Sequence, residues 1–212
     1  MSVLSDCTPM APTLVRAPFH RDGWVYEEKV DVWRMLAYKD GARVRLVSRN
    51  GRDHTRRFAG IAAAVAKLTA RALVLDGEVA IYDEQLRSRF DLLREPDPAA
   101  VATPPLYMVF DLLYHAGRDL TTRPLRDRRA RLEDLVGGGE HQLAVRRLAP
   151  DGLEAWTQVV ERGYEGLVAR DEASVYQSGP TRRWLKVKQK GWTDAADRRS
   201  RLPAGEAERW LG

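Results

Sequence analysis

Near the start of the chain one lysine stands among carboxylates, in Glu27-Glu28-Lys29-Val30-Asp31-Val32-Trp33-Arg34. A lysine amine is a nucleophile only when unprotonated. Its ordinary pKa is about 10.4, so burial or neighbouring cations must lower it before it can attack. Cations are on offer far downstream, in Trp184-Leu185-Lys186-Val187-Lys188. Carboxylates recur in Leu75-Asp76-Gly77-Glu78 and in Glu165-Gly166-Leu167-Val168, and an arginine precedes a turn in Ser48-Arg49-Asn50-Gly51-Arg52-Asp53. Each has a plain structural reading when taken alone. A lysine between acids is an ordinary solvated strand face, and alternating lysines suit an edge strand. Glu78 reads as an exposed strand glutamate, Arg49 as a hairpin arginine in water, and Phe110 in Tyr107-Met108-Val109-Phe110-Asp111 as core.

Other chemistries find little purchase. His20, His54, His115 and His141 lack metal-ligand spacing, and there is no Gly-x-Ser-x-Gly or Walker-type loop. The glycine run 137–139 follows a helical pattern instead of opening one, so it reads as a loop and not a phosphate cradle. Cys7 is the single cysteine, which excludes an internal disulfide and makes a reducing cytoplasm the expected setting. No apolar run reaches membrane-spanning length, and no signal pattern opens the chain. Thirty-five basic against thirty acidic residues leave a net charge of +5, so a polyanionic partner would meet a local basic patch and not a basic tail.

The elements that must position these residues follow from periodicity. Residues 1–21, punctuated by Pro9, Pro12 and Pro18, read as an irregular lead-in. Alternation from Trp24 predicts a strand with Glu27, Lys29 and Asp31 on one face and Tyr26, Glu28 and Val30 on the other. Tyr38-Lys39-Asp40-Gly41-Ala42 predicts a hairpin turn with Lys39 in solvent, and 43–47 the return strand. Helical patterns cover 58–70, 126–136 and 153–162, the last stopped by Gly163. Strands are expected over 73–82, 106–114, 143–148, 164–170 and 183–188, with the first continuous through a local irregularity at Gly77. Hairpin-related strands with a few helices make an α+β domain over 1–190, followed by a polar and basic tail over 191–212.

In this order the motifs resemble the adenylation domain of ATP-dependent DNA ligases, within the covalent nucleotidyltransferase superfamily. The likeness runs from about Gly23 to Lys188 and is closest to the ligase domains of bacterial end-joining systems. It implies an antiparallel-sheet nucleotidyltransferase (ATP-grasp-like) fold. Lys29 is implied as the nucleophile that takes AMP from ATP, with Asp31 positioning it. Lys186 and Lys188 are implied to supply positive field at the α-phosphate. Glu27, Arg34, Glu78 and Phe110 are implied at the nucleotide, Arg34 and Glu78 on its sugar and Phe110 on adenine. The resemblance further implies Mg²⁺ at Glu165 and DNA phosphate at Arg49. The implied protein is a cytoplasmic, monomeric enzyme sealing nicked or broken double-stranded DNA in repair and recombination.

Three positions depart from the family pattern. Val32 replaces the motif glycine, which would strain the backbone if φ were positive there. Arg170 stands for a lysine. Only a short tail follows where the family carries an OB-fold, so no OB-fold is expected here and a separate OB-fold or repair partner would supply it. Two other readings stay open: an RNA ligase or mRNA-capping-type nucleotidyltransferase, and a nucleotide- or DNA-binding relic. Ser48-Arg49-Asn50-Gly51 and the 184–188 segment favour the DNA ligase.

Overall fold

A computed structural model describes residues 7–30, 33–94, 101–136 and 141–190 of the 212. In chain order its elements are β1 (Met10–Leu14), β2 (Trp24–Glu28), β3 (Trp33–Asp40), β4 (Arg43–Ser48), α1 (Ala59–Lys67), β5 (Ala72–Ala80) and α2 (Phe90–Arg94). There follow β6 (Leu106–His115), β7 (Arg118–Asp119), α3 (Leu125–Val136), β8 (Gln142–Ala144), α4 (Gly152–Glu161), β9 (Gly166–Asp171) and β10 (Gly179–Lys188). The strands form two sheets, ordered β1-β10-β9-β2 and β4-β3-β5-β6-β7, with β8 added alongside β6. Pairing is antiparallel throughout except for β1 with β10 and β8 with β6.

The apolar residues divide into three buried clusters. One packs α1 and α3 on the outer face of the larger sheet, through Ile61, Val65, Leu75, Val109 and Leu132. A second lies between the two sheets, where Val30, Leu36, Phe110, Tyr176 and Trp184 meet. The third seats α4 under the smaller sheet through Tyr26, Ala155, Val159 and Leu167. The middle cluster fixes the distance between the sheets, and so fixes the crevice that opens at its edge.

The long alternating run expected from Trp24 is broken. β2 ends at Glu28 in the smaller sheet, and the chain resumes at Trp33 as β3 in the larger one. Lys29 is therefore the first residue of a crossing between sheets and not the middle of a strand. Its own N–H still donates to Gly166 O (2.9 Å). The expected face shared by Glu27 and Lys29 is kept up to this crossing. Asp31 and Val32 lie outside the described residues, as do the glycine run and the tail 191–212.

Two other expectations are corrected. The lead-in contains β1, an edge strand whose register shifts between Pro12 and Thr13, where the missing proline N–H suits a bulge. Lys39 is not in a solvent turn. It is the buried penultimate residue of β3, and its ammonium donates to Leu68 O (2.8 Å) and Ala70 O (2.5 Å) just past α1. Carbonyls beyond a helix end need such donors. The turn itself is as expected, with Gly41 at φ +59°. The strand of 143–148 is shorter, confined to β8.

Glycines set the closest approaches. β5 runs unbroken through Gly77, with a register shift there against β6. A Cβ on Gly77 would lie 2.7 Å from the Tyr107 ring, whose hydroxyl donates to Met35 O and Leu75 O. At Gly166 the neighbour is backbone: a Cβ would meet Val187 O at 2.0 Å. Gly60, in α1, meets nothing closer than 3.8 Å. Gly166→Ala should therefore destabilise by about 1–3 kcal/mol, since β9 and β10 must separate. Gly60→Ala should stabilise by about 0.5–1 kcal/mol through helix propensity. Urea denaturation of both variants checks this, and a neutral Gly166→Ala would contradict the packing of β9 on β10.

Candidate active site

Strand register assembles the site. Across the smaller sheet Glu27 pairs with Val168 and Val168 with Lys186; one step on, Gly166 pairs with Lys188 and binds the Lys29 N–H. Because side chains alternate, Glu27, Lys29, Val168, Arg170, Trp184, Lys186 and Lys188 all belong to one face of that sheet. The larger sheet offers Arg34 opposite Glu78 on neighbouring strands β3 and β5, and Phe110 on β6. Between the sheets lies a cavity of about 230 Å³. Lys29, Arg34, Arg49, Glu78, Phe110, Arg170 and Lys186 all line it, together with Glu28 and the chain around β1.

At the cavity wall the Lys29 ammonium donates to Glu165 Oε2 at 2.7 Å, and the Lys188 ammonium lies 3.4 Å from Glu165 Oε1. Glu165 is almost wholly buried, while both lysines keep part of their surface open. One buried carboxylate thus holds two cations, one from the crossing after β2 and one from the end of β10. Desolvating a carboxylate is costly, and two ammonium groups offset that cost.

Arg34 is held just as firmly. Its Nε and Nη2 donate to the two oxygens of Asp76, both at 2.6 Å, and Nη2 also reaches Met10 O at 3.1 Å. Tyr176 donates its hydroxyl to Asp76 as well, at 2.6 Å. Burial works against the Arg34 charge, but the Asp76 carboxylate outweighs it and raises the guanidinium above its ordinary value. Arg34 therefore presents a fixed cation at the cavity wall.

Several candidates sit otherwise than the sequence implied. Glu27 is fully buried and does not line the cavity; its carboxylate is ion-paired with Arg129 from α3 and Arg170 from β9. Phe110 borders the cavity yet is only 1% exposed, its ring covered by the guanidinium carbons of Arg170 at 4.4 Å and Arg34 at 4.5 Å. Arg49, assigned to DNA phosphate, reaches the cavity rim beside the nucleotide-side residues.

Residues not singled out from sequence complete the site. Glu28 lines the cavity beside Lys29. Arg129 anchors α3 by donating to Phe110 O (3.1 Å) and Val145 O (2.8 Å). Thr8, Pro9 and Met10 supply one wall, from a stretch whose prolines suggest irregular chain. Only the highly charged face of α3 hinted at Arg129, and charge alone does not tell a buried arginine from a solvated one.

The fold and these residues define a covalent nucleotidyltransferase-type domain, and comparison with known proteins narrows the class. The model of the ATP-dependent DNA ligase domain matches residues 7–188, and the chain belongs to that family. Over 182 residues it is 35% identical to the multifunctional non-homologous end joining protein LigD of Pseudomonas aeruginosa, covering 85% of this chain and 22% of that protein. A probable DNA ligase of Streptomyces griseus is 38% identical over 183 residues, covering 76% of this chain and 35% of that one. Among solved structures, mycobacterial DNA ligase D complexed with ATP and MES superposes with a TM-score of 0.76 at 30% identity, covering 88% of this chain and 61% of that chain. The ligase domain of Mycobacterium tuberculosis LigD gives 0.73 at 29%, covering 86% and 60%. The chain spans about a fifth to a third of these curated relatives' length.

Glu28 generates a pH prediction. Burial pushes its carboxyl from 4.5 up to about 7, with Arg146 and Arg162 pulling the other way. A carboxyl raised on folding contributes stability below its unfolded value, and that contribution is lost as pH rises through the folded one. The window is thus 4.5 to about 7. At about 1.4 kcal/mol per unit, Glu28→Gln should stabilise the fold by about 3 kcal/mol near pH 8 and change little near pH 4. Denaturation at both pH values measures it; a loss at pH 8 would show that the Glu28 carboxylate is needed in its charged form.

Proposed function

We propose that this chain carries the adenylation chemistry of a DNA ligase acting on nicked or broken double-stranded DNA in repair. The observation that supports it most is Lys29 at the cavity wall, with Arg34, Lys186 and Lys188 around it and Glu165 within hydrogen-bond reach of its amine.

In the first step the Lys29 amine attacks the α-phosphorus of ATP. The N–P bond forms, the bond to the bridging oxygen breaks and pyrophosphate leaves. Glu165 is placed to hold the proton that the Lys29 ammonium must give up. Lys186 and Lys188 neutralise the charge that grows on the α-phosphate oxygens. Arg34 and Glu78, paired across β3 and β5, face the ribose, Glu78 as an acceptor for hydroxyl donors. A DNA 5′-phosphate oxygen then attacks the same phosphorus, breaking the P–N bond. Finally a 3′-hydroxyl attacks the activated 5′-phosphate and AMP departs.

Among the described residues no three acidic, histidine or cysteine side chains converge on one point. A magnesium ion held chiefly by phosphate oxygens needs few protein carboxylates, and Glu165, in contact with the Lys29 ammonium, would be the one to hold it. The ion would supply charge neutralisation at the leaving pyrophosphate. No helix among the described residues is long and apolar enough to cross a membrane.

Arg43, Arg45, Arg49, Arg52 and Arg56 are all exposed on β4 and the loop after it, a basic face continuous with the cavity rim through Arg49. Such a face suits a phosphate backbone. Binding to a nicked duplex should weaken steeply with salt, and Arg49→Ala should lower the salt slope by about one phosphate contact. Salt-independent binding would argue against a DNA substrate.

Incubation with α-labelled ATP and magnesium tests the reaction itself. Label should stay on the denatured protein, and Lys29→Ala should lose it by at least about a thousandfold while still binding ATP. Labelling by GTP in preference to ATP would move the reading to a capping-type enzyme. Binding without labelling would move it to a nucleotide-binding relic.

A further inference from the structure

The hairpin that follows β5 holds a leucine where the backbone calls for glycine. Tyr82 bridges to Ser88, the Asp83 N–H donates to Arg87 O at 3.1 Å, and the Leu86 N–H closes the turn on Asp83 O at 2.9 Å. This is a three-residue hairpin loop, Glu84-Gln85-Leu86, whose last position is left-handed and ordinarily glycine. Leu86 occupies it at φ +56°, which is costly for a residue with a Cβ. The turn is pinned in place: the Asp83 carboxylate accepts from the Gln85 and Arg87 N–H groups at 3.0 Å each, and from Arg87 Nε at 3.2 Å. The Leu86 side chain is also 54% exposed and joins none of the three apolar clusters. An exposed leucine alone is ordinary. One held in the left-handed region carries two costs that glycine would remove, and such strain collects at functional positions.

The hairpin borders both the segment carrying Lys29 and the basic face. Trp33, where β3 begins after the crossing, pairs with Val79 near the end of β5, and Ser48 at the end of β4 pairs with Met35. The Lys29 crossing, the hairpin and the loop with Arg49, Arg52 and Arg56 therefore leave one end of the larger sheet. Arg57 ties that loop to α2, just past the hairpin, by donating from Nη2 to Leu93 O at 2.8 Å. On the other side the Arg87 stem lies 3.8 Å from where a Cβ on Gly163 would stand, two residues before Glu165. Arg87 and Arg89 follow Leu86, both held by Asp83, at 3.1 and 3.5 Å, with their side chains 44% and 40% exposed. An apolar tip beside solvent-facing arginines suits a duplex, whose phosphates take the cations and whose base steps admit apolar wedges.

We infer that Leu86 is a wedge for interrupted DNA: its side chain enters the base step at a nick while Arg87 and the arginines of the neighbouring loop meet the phosphates around it. This rests on the DNA reading of the basic face. At a nick one strand has no covalent link across the step, so opening that step costs less than in continuous duplex. A tip already fixed by Asp83 loses little freedom on insertion, which favours the site where the step opens most easily. Leu86 is thereby a specificity-determining residue for nicked over intact duplex.

The test uses the full chain with magnesium omitted, a duplex carrying a nick beside a 2-aminopurine base, and the same duplex without the nick. Anisotropy reads binding, and 2-aminopurine fluorescence, which rises on unstacking, reads insertion. Wild-type protein should bind the nicked duplex about tenfold more tightly than the intact one, the size expected for burying one leucine side chain, and should raise the fluorescence. Leu86→Gly and Leu86→Asn, both at ease in the left-handed region, should bind the two duplexes equally, bring no fluorescence rise and leave intact-duplex binding unchanged. Leu86→Met, which keeps an apolar side chain, should retain both signals. The thermal midpoint of Leu86→Gly should be at or above that of the wild type; a fall would show the side chain packing within the domain and would overturn the inference. A nick preference or fluorescence rise that survives in Leu86→Gly, or wild-type binding with neither signal, would overturn it while leaving the DNA reading intact. Failure of wild-type protein to bind either duplex would overturn both.

Discussion

The candidate active site depends on a single buried carboxylate. Glu165 sits where the segment after β2, the start of β9 and the end of β10 converge, and it is the common partner of Lys29 and Lys188. Three strands of one sheet must be in register for those groups to meet. Gly166, the next residue, lets β10 pass so close that any side chain there would strike the Val187 carbonyl. A carboxylate buried this deeply would be strongly destabilising alone; with two ammonium groups it is compensated, and each lysine is held in place in return. The same residues that close the sheet thus set the position of the Lys29 amine.

Around this centre other buried charges repeat the arrangement. Asp76 binds Arg34 and Tyr176. Asp111 takes two hydrogen bonds from Arg128, at 2.7 Å each, and both side chains are fully buried. Glu27 pairs with Arg129 and Arg170. Adjacent residues of α3, Arg128 and Arg129, therefore reach β6 and β2 from one helix, which ties the helix outside the larger sheet to the segment carrying Lys29. Buried ion pairs add little net stability compared with a well-packed apolar core, but they penalise every alternative arrangement in which a charge loses its partner. That penalty suits a site whose parts come from two sheets and a helix.

Much of this was legible in the residues. Of the residues that motif order singles out, Lys29, Arg34, Glu78, Phe110 and Lys186 line one crevice, and Glu165 joins Lys29 to Lys188 beside it. The unbroken strand through Asp76-Gly77-Glu78 and the turn at Gly41 also followed from local chemistry. What escaped was set by tertiary contact. Alternation cannot show that a strand leaves one sheet for another, so it places Lys29 in mid-strand. Lys39, beside an Asp-Gly turn, reads as solvated until the carbonyls after α1 are seen beneath it. Glu27 is expected to face a ligand directly, and arginines on α3 and β9 enclose it instead, while Phe110 borders the cavity under Arg34 and Arg170.

The most direct test of the central claim is to find the atom that carries AMP. The protein is incubated with ATP and magnesium, digested under conditions that preserve a phosphoramidate, and its peptides are sequenced by tandem mass spectrometry. The arrangement of Lys29 against Glu165 predicts one adenylyl group, on Lys29, with Lys186 and Lys188 unmodified. An adenylyl group on Lys188 or Lys186 instead would contradict it, because the roles of nucleophile and supporting cation around Glu165 would then be reversed.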